Sequence, residues 1–443
     1  MSLLTSYEVK QIHLLIRREI MSSTPRRDFL KSVAAVPASV ALPGYSALAA
    51  PLRKKVKITD VKAMIVKGNT AWNMVKIETD SGITGLGEAY WGHGVKDVIL
   101  GYLRPLLLGE DPLNVEPLYT KMVLSTGGAG SLAGVTVTAI SGAEIALWDL
   151  AGKILGVPVY TLLGGRYRES VRAYWTSDAK DILDPASCRE YAAMIKESHL
   201  GITAIKPSFY SLKALPKPWT ASPDRLQGLP TTHLSRQVLS QITRGFENLR
   251  EAFGEDFDIA VHCHWEYDLI DALRLARAVA PIDPMWLEDP MPPAYSESWV
   301  KLTQESPVPI LTGENLYKLE GFAPFILNQG VHKVQIDIPK AGGLLEAKRI
   351  ASLAALYYLP ICGHNASSPV GAIASAHVAA AMRDFYALEF SPGFPDKYFS
   401  AVNYDGPIIK DGEWQILDKP GLGIELNEDY ARTHLAPGET WWE

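Results

Sequence analysis

Cysteine is scarce in this chain: Cys188, Cys263 and Cys362 are the three in 443 residues, and no two form a CxxC pair. That excludes a disulfide framework. Clusters of lysine and arginine are also missing and the net charge is −6, so nucleic acid is not an expected partner. No apolar run beyond the amino terminus is long enough to span a bilayer, which excludes a membrane anchor. What remains is an ordinary soluble composition, 47% hydrophobic and 21% charged, in a chain long enough for two structural units.

The first fifty residues stand apart. Thr24-Pro-Arg-Arg-Asp-Phe-Leu-Lys31 carries adjacent arginines, Ser32 to Leu48 is weakly apolar, and Ala47-Leu48-Ala49 closes the stretch. Those three parts, in that order, read as a twin-arginine export signal cut after about Ala49, with a periplasmic mature protein. Met21 sits where such signals start, which makes residues 1–20 an upstream extension.

From 51 to 168 the pattern is α+β. Strands are expected at Lys57–Val66, Trp72–Thr79 and Ile83–Ala89, with Asp80-Ser-Gly82 as a hairpin turn. Helical patterns follow at Val95–Leu103, Val115–Met122 and Ser131–Leu155. Asn114 is placed to cap the second, and Gly156 with Pro158 to stop the third.

After Arg168 short apolar runs recur, each followed by an amphipathic segment. They end near Tyr174, Lys206, His262, Glu288, Glu314, Asp337, His364 and Glu389. Successive ends lie 23 to 32 residues apart, save for the 56 between Lys206 and His262, where a proline-rich insertion intervenes. That rhythm predicts a (β/α)8-type barrel over 169–393. A Gly/Pro-rich tail, 394–443, is expected to pack back on the first unit and complete the capping domain.

Nearly every polar residue in that series stands at a strand end, the C-terminal face where catalytic groups of this fold gather. Four carboxylates and two histidines at six successive ends are costly as core, since each needs a partner. In Asp258-Ile-Ala-Val-His-Cys-His-Trp265, His262 and His264 are two apart, so on a strand they share a face. Cys263 alternates outward, and Cys362 belongs to a barrel layer below His364; both are read as packing residues.

Five motifs carry a resemblance: Met285-Trp-Leu-Glu-Asp-Pro290, Leu311-Thr-Gly-Glu-Asn315, Ile336-Asp-Ile-Pro-Lys-Ala-Gly-Gly343, Cys362-Gly-His-Asn365 and Ala387-Leu-Glu-Phe390. Gly142 to Lys153 and Leu162-Leu-Gly-Gly165 match the segment leading into the barrel. The chain resembles the enolase superfamily, in its mandelate racemase-like branch with the sugar-acid (galactonate-type) dehydratases, over about residues 56–430. The resemblance implies a hydro-lyase that abstracts the proton α to a carboxylate and eliminates the β-hydroxyl, giving a 2-keto-3-deoxy acid. It implies a divalent metal on His262, Glu288 and Glu314, Mg2+ in the first instance. His364, paired with Asp337, is then the base and His264 the acid for the leaving hydroxyl. Glu389 hydrogen-bonds the substrate carboxylate or enediolate. Lys206 contacts that carboxylate, and Trp72, Tyr90, Trp91 and His93 on two capping loops suit a polyol. A homo-oligomer is the implied assembly.

Two positions depart from the family pattern. The first metal ligand is usually Asp, and His262 admits Mn2+ or another transition metal beside Mg2+. Where many relatives carry Lys-x-Lys, this chain has Lys206-Pro-Ser208, so a second base is missing. Two other readings stand at this point: a racemase or epimerase of a 2-hydroxy acid using Lys206 and His364, and a non-catalytic periplasmic sugar-acid-binding descendant.

Overall fold

Three antiparallel strands, β1 (Ile58–Lys67), β2 (Ala71–Thr79) and β3 (Thr84–Ala89), form a meander in which Ile65 faces Asn73 and Asn73 faces Ala89. The computed structural model describes residues 45, 49–209, 212 and 233–442. The stretch expected to be an export signal, apart from Tyr45 and Ala49, and most of the insertion Phe209–His233 lie outside the described residues.

The meander packs on α1 (Val135–Leu155), whose residues Thr136–Gly152 are all buried. Gly85 and Gly87 permit the close approach: a Cβ there would stand 2.2 Å from the Ala146 carbonyl oxygen and 2.3 Å from that of Gly142. Two expectations need correction. The helix starts at Val135 rather than Ser131, because Gly134 takes φ 76° and breaks the pattern, and Asn114 makes no side-chain capping bond. Gly156, at φ 70°, ends α1 as expected.

The barrel strands are β4 (Ser170–Trp175), β5 (Ala204–Ile205), β6 (Asp258–Ile259), β7 (Val261–His262), β8 (Leu287–Glu288), β9 (Ile310–Thr312), β10 (Lys333–Asp337), β11 (Ile361–His364) and β12 (Phe385–Phe390). All neighbours are parallel, and β12 pairs with β4. β6 pairs with β5 and β7 with β8, so these two are consecutive pieces of one strand and the ring has eight positions. Inside it Tyr174, Ala204, Ala260, Trp286, Leu311, Cys362 and Ala387 form one buried cluster. This is a packed floor beneath the strand ends. All three cysteines are free and buried.

The tail returns to the capping sheet: Lys67 N–H donates to the His434 carbonyl at 2.7 Å and Ala436 N–H to that of Ile65 at 2.9 Å. It also adds a hairpin to the barrel, where Trp414 pairs antiparallel with Val171 of β4.

Buried carboxylates join the two architectures. Glu144 of α1 accepts the N–H groups of Leu344 (2.8 Å) and Leu345 (2.9 Å), opening α2 (Gly343–Leu356) after β10. Glu88 of β3 does the same for α3 (Pro369–Ala380) after β11, taking the N–H groups of Ser368 and Gly371 at 2.9 Å each. Each carboxylate occupies a helix N-terminus, where orphan N–H groups and the helix dipole favour it. The segments following Asp337 and His364 are thereby held from the capping side.

Candidate active site

At the C-terminal ends of β7, β8 and β9 stand His262, Glu288 and, two residues past its strand, Glu314. One ligand atom from each lies within 4.8 Å of the other two, and all three residues are buried. His262 Nε2 is 3.4 Å from Glu288 Oε1 without hydrogen-bond geometry, and among the described residues neither it nor Glu314 Oε2 has a hydrogen-bond partner. Buried polar atoms are rarely left this way unless an ion or ligand takes them. Two carboxylates and an imidazole with converging free atoms fit a divalent cation.

On the neighbouring strands, His364 Nδ1 lies 2.6 Å from Asp337 Oδ2, and the register of β10 and β11 sets the two residues side by side. The same imidazole turns Nε2 towards Glu314 Oε2 (3.2 Å) and Glu389 Oε2 (3.7 Å). Burial acts to lower the basicity of His364, but Glu314, Glu389 and Asp337 together outweigh it and raise the pKa to about 9. Burial also acts to raise Glu314, yet His364, Lys206 and His264 hold it near 2. For His264, burial prevails over the attraction of Glu314 and brings the ring down to about 4.

His262 and His264 project to one face, ring centroids 4.0 Å apart. The chain then turns through Trp265 at φ 63°, opposite Asp289 at φ 47°, both left-handed and costly for residues with a Cβ. Trp265 N–H donates to the Asp289 carbonyl (2.8 Å) and its indole Nε1–H to Asp289 Oδ2 (2.9 Å), which locks the turn. The indole stands edge-on to the His264 ring.

These groups open on a cavity of about 610 Å3 lined by His262, His264, Glu314, His364 and Glu389, with Tyr90 and Trp91 from the capping side. Trp91 is half exposed at the rim, and the Tyr90 ring lies 6.0 Å from that of His364.

Two assignments need correction. Trp72 is buried away from this cavity; its Nε1–H donates to Asn69 Oδ1 (2.8 Å) and its ring stacks on Tyr430 beside a separate hollow. Its loop instead braces the mouth from outside, Thr70 Oγ1 donating to the Ala366 carbonyl (3.0 Å). Lys206 is fully buried below the cavity, its ammonium 2.6 Å from Glu288 Oε1 and 3.1 Å from Glu389 Oε1. Burial favours its neutral form, but those carboxylates raise the pKa above the usual lysine value. Glu389 lines the cavity as expected, and Lys206, His364 and Thr176 overcome its burial and hold its pKa below the usual carboxylate value. Asn315, Tyr317 and Lys340 line the cavity without having been singled out, although two of them fall inside the quoted motifs.

Fold and site together define a barrel with a carboxylate–imidazole pair at its mouth, beside three converging side chains that could hold a metal ion. Residues 53–164 match the mandelate racemase/muconate lactonizing enzyme N-terminal domain, and residues 231–430 the enolase C-terminal domain-like family. A D-xylonate dehydratase from Haloferax volcanii is 38% identical over 390 residues, covering 88% of this chain and 92% of that protein. A D-mannonate dehydratase from a Sphingomonas species is 31% identical, over 85% and 94%. The solved structure of a mandelate racemase/muconate lactonizing enzyme-like protein from Rubrobacter xylanophilus aligns at TM-score 0.79 and 34% identity, over 87% of this chain and 99% of that one. The chain belongs to the mandelate racemase/muconate lactonizing enzyme branch of the enolase superfamily. Its class is that of the hydro-lyases, as its dehydratase relatives support.

Proposed function

We propose that this protein is a divalent-metal-dependent dehydratase of an aldonic acid. The observation that carries the reading is the Asp337–His364 pair, 2.6 Å apart, beside the cluster of His262, Glu288 and Glu314, with His364, His262 and Glu314 opening on one cavity.

Glu314 and Glu389 favour the charged form of His364; a cation held on Glu314 would offset that pull, and Nε2 of the neutral imidazole takes the proton from the carbon α to the carboxylate. Asp337 accepts the Nδ1–H bond, fixes the tautomer and steadies the imidazolium that forms. A cation held by His262, Glu288 and Glu314 would supply the positive charge needed as the acid gains a second negative one. The β carbon–oxygen bond then breaks, His264 gives its proton to the departing hydroxyl, and water leaves. The resulting enol becomes the 2-keto-3-deoxy acid when the β carbon takes a proton. Burial keeps His264 largely neutral, so its protonation depends on negative charge gathering on the substrate beside it. Glu389 balances Lys206 and faces the imidazolium.

The racemase reading needs Lys206 as a second base, and an ammonium paired with two buried carboxylates does not give up its proton readily near neutral pH. Mg2+ is the first metal in this proposal, with Mn2+ favoured next because the His262 imidazole suits it better.

The deciding experiment is a screen of aldonic acids, D-xylonate first, for 2-keto-3-deoxy products with Mg2+, Mn2+ and Zn2+ in parallel. Product formation supports the dehydratase. Solvent deuterium entering the α position with no keto product would establish a racemase instead. Tight binding without turnover under every metal would establish the non-catalytic descendant.

A further inference from the structure

Two lysines approach the mouth of the barrel, and they differ in what surrounds them. Lys206 is paired with two carboxylates. Lys340 is not. It lies three residues beyond Asp337, in the short turn Ile338–Ala341, and its side chain comes back to line the cavity while remaining only 8% exposed.

The Lys340 ammonium donates to Asn315 Oδ1 at 2.6 Å and sits over two phenol rings, 4.8 Å from the centroid of Tyr90 and 5.8 Å from that of Tyr317. Among the described residues no carboxylate lies within ion-pair distance of it. The ring faces attract the cation without accepting a directed hydrogen bond. An ammonium carries three N–H donors, so two remain beyond the one given to Asn315. A nearly buried cation with spare donors at the wall of a reaction cavity is a recognition group for an oxygen-bearing ligand.

Its position indicates which part of the ligand it meets. On the dehydratase reading, on which this inference rests, the carboxylate and α carbon face the metal ligands and His364. Tyr90 borders both groups, its ring 6.0 Å from that of His364 and 4.8 Å from the Lys340 ammonium. With the carboxylate end held at His364 and the metal ligands, the hydroxylated remainder of the chain is left the rest of the cavity wall, which Lys340 shares with Tyr90, Asn315 and Tyr317.

We propose that Lys340, steadied by Asn315 and the Tyr90–Tyr317 pair, binds the distal hydroxyl oxygens of the sugar acid and sets the enzyme's preference for long polyhydroxy acids over short ones. Hydrogen bonds from a charged donor contribute about 1.5–3 kcal/mol, or roughly 10- to 150-fold in binding.

The test is calorimetric binding to the Mg2+-loaded full chain of D-xylonate, of glycerate, which lacks the distal hydroxyls, and of xylarate, which ends in a second carboxylate. Lys340→Met is expected to weaken xylonate about 10-fold or more and to leave glycerate unchanged; Lys340→Arg, which keeps the charge and donors, recovers part of the loss. Equal weakening of both acids, or of neither, overturns the assignment, the first because Lys340 would then act through Asn315 and its neighbour Glu314. Xylarate binding the wild type more tightly than xylonate, and losing more on substitution, would overturn the choice of hydroxyls in favour of an anionic terminus. Wild type that binds none of the three overturns the dehydratase reading itself, and the inference with it.

Discussion

Glu88 Oε2 accepts the N–H of Gly371 at 2.9 Å, tying the last strand of the capping sheet to the first turn of the helix behind His364. The same carboxylate takes the N–H and the hydroxyl of Ser368, and it is almost wholly buried. Glu88→Ala strands these donors without water to replace the acceptor. A loss of about 3 kcal/mol is expected in urea unfolding. In the variant that still folds, turnover should fall further than substrate affinity, because the segment carrying His364 loses its anchor.

His264 and His364 are separable by isotope exchange. His264→Asn should retain wash-in of solvent deuterium at the α carbon while dehydration drops by about 10^2 to 10^4. His364→Asn should lose both. Full dehydration in His264→Asn, with metal bound, would move the proton delivery to His364 alone.

His262→Asp replaces the imidazole of the proposed metal triad with the oxygen donor that a hard cation prefers. Mg2+ affinity should rise relative to Mn2+ and Zn2+, read by equilibrium dialysis with elemental analysis. An unchanged ratio would mean that His262 does not contribute to metal choice.

His377 gives a pH signature remote from the reaction. Its ring is buried in α3, Nδ1 receives the Tyr160 N–H (3.4 Å) and Nε2–H donates to the Leu422 carbonyl (3.2 Å). Burial lowers its pKa from 6.5 to about 4 against the weaker pull of Leu422 and Asp418. The folded value lies below the unfolded one, so this contribution is whole above pH 6.5 and is lost as pH falls towards 4. The loss amounts to about 3 kcal/mol at ~1.4 kcal/mol per pH unit. His377→Gln keeps a donor and an acceptor without titrating; its melting temperature should vary less than that of the wild type between pH 7 and 4.

Much of this was legible in the chain. The eight strand ends follow from spacing, because a βα unit needs a nearly constant length, and the period of two put His262 and His264 on one face. The Asp337–His364 contact then followed from adjacent strands, whereas the grouping of His262, Glu288 and Glu314 as metal ligands came from the family resemblance. Loop residues were harder to assign. Tyr90 and Trp72 look alike as aromatics beside β3 and β2, yet Tyr90 faces His364 and Trp72 stacks on Tyr430. Which way a loop aromatic turns depends on the segment packed against it, and Tyr430 is far away in sequence.

The amino-acid sequence by itself determined the barrel, its capping unit and the order of groups around the mouth, since these rest on local periodicity. Only the tertiary structure decided which of two lysines is free to meet a ligand. Lys206 ends a strand between Glu288 and Glu389 and is neutralised there. Lys340, past its strand in a helical turn, swings back over the cavity with Asn315 and two ring faces for company. Charge pairing across a barrel joins residues tens of positions apart, and no local pattern records it.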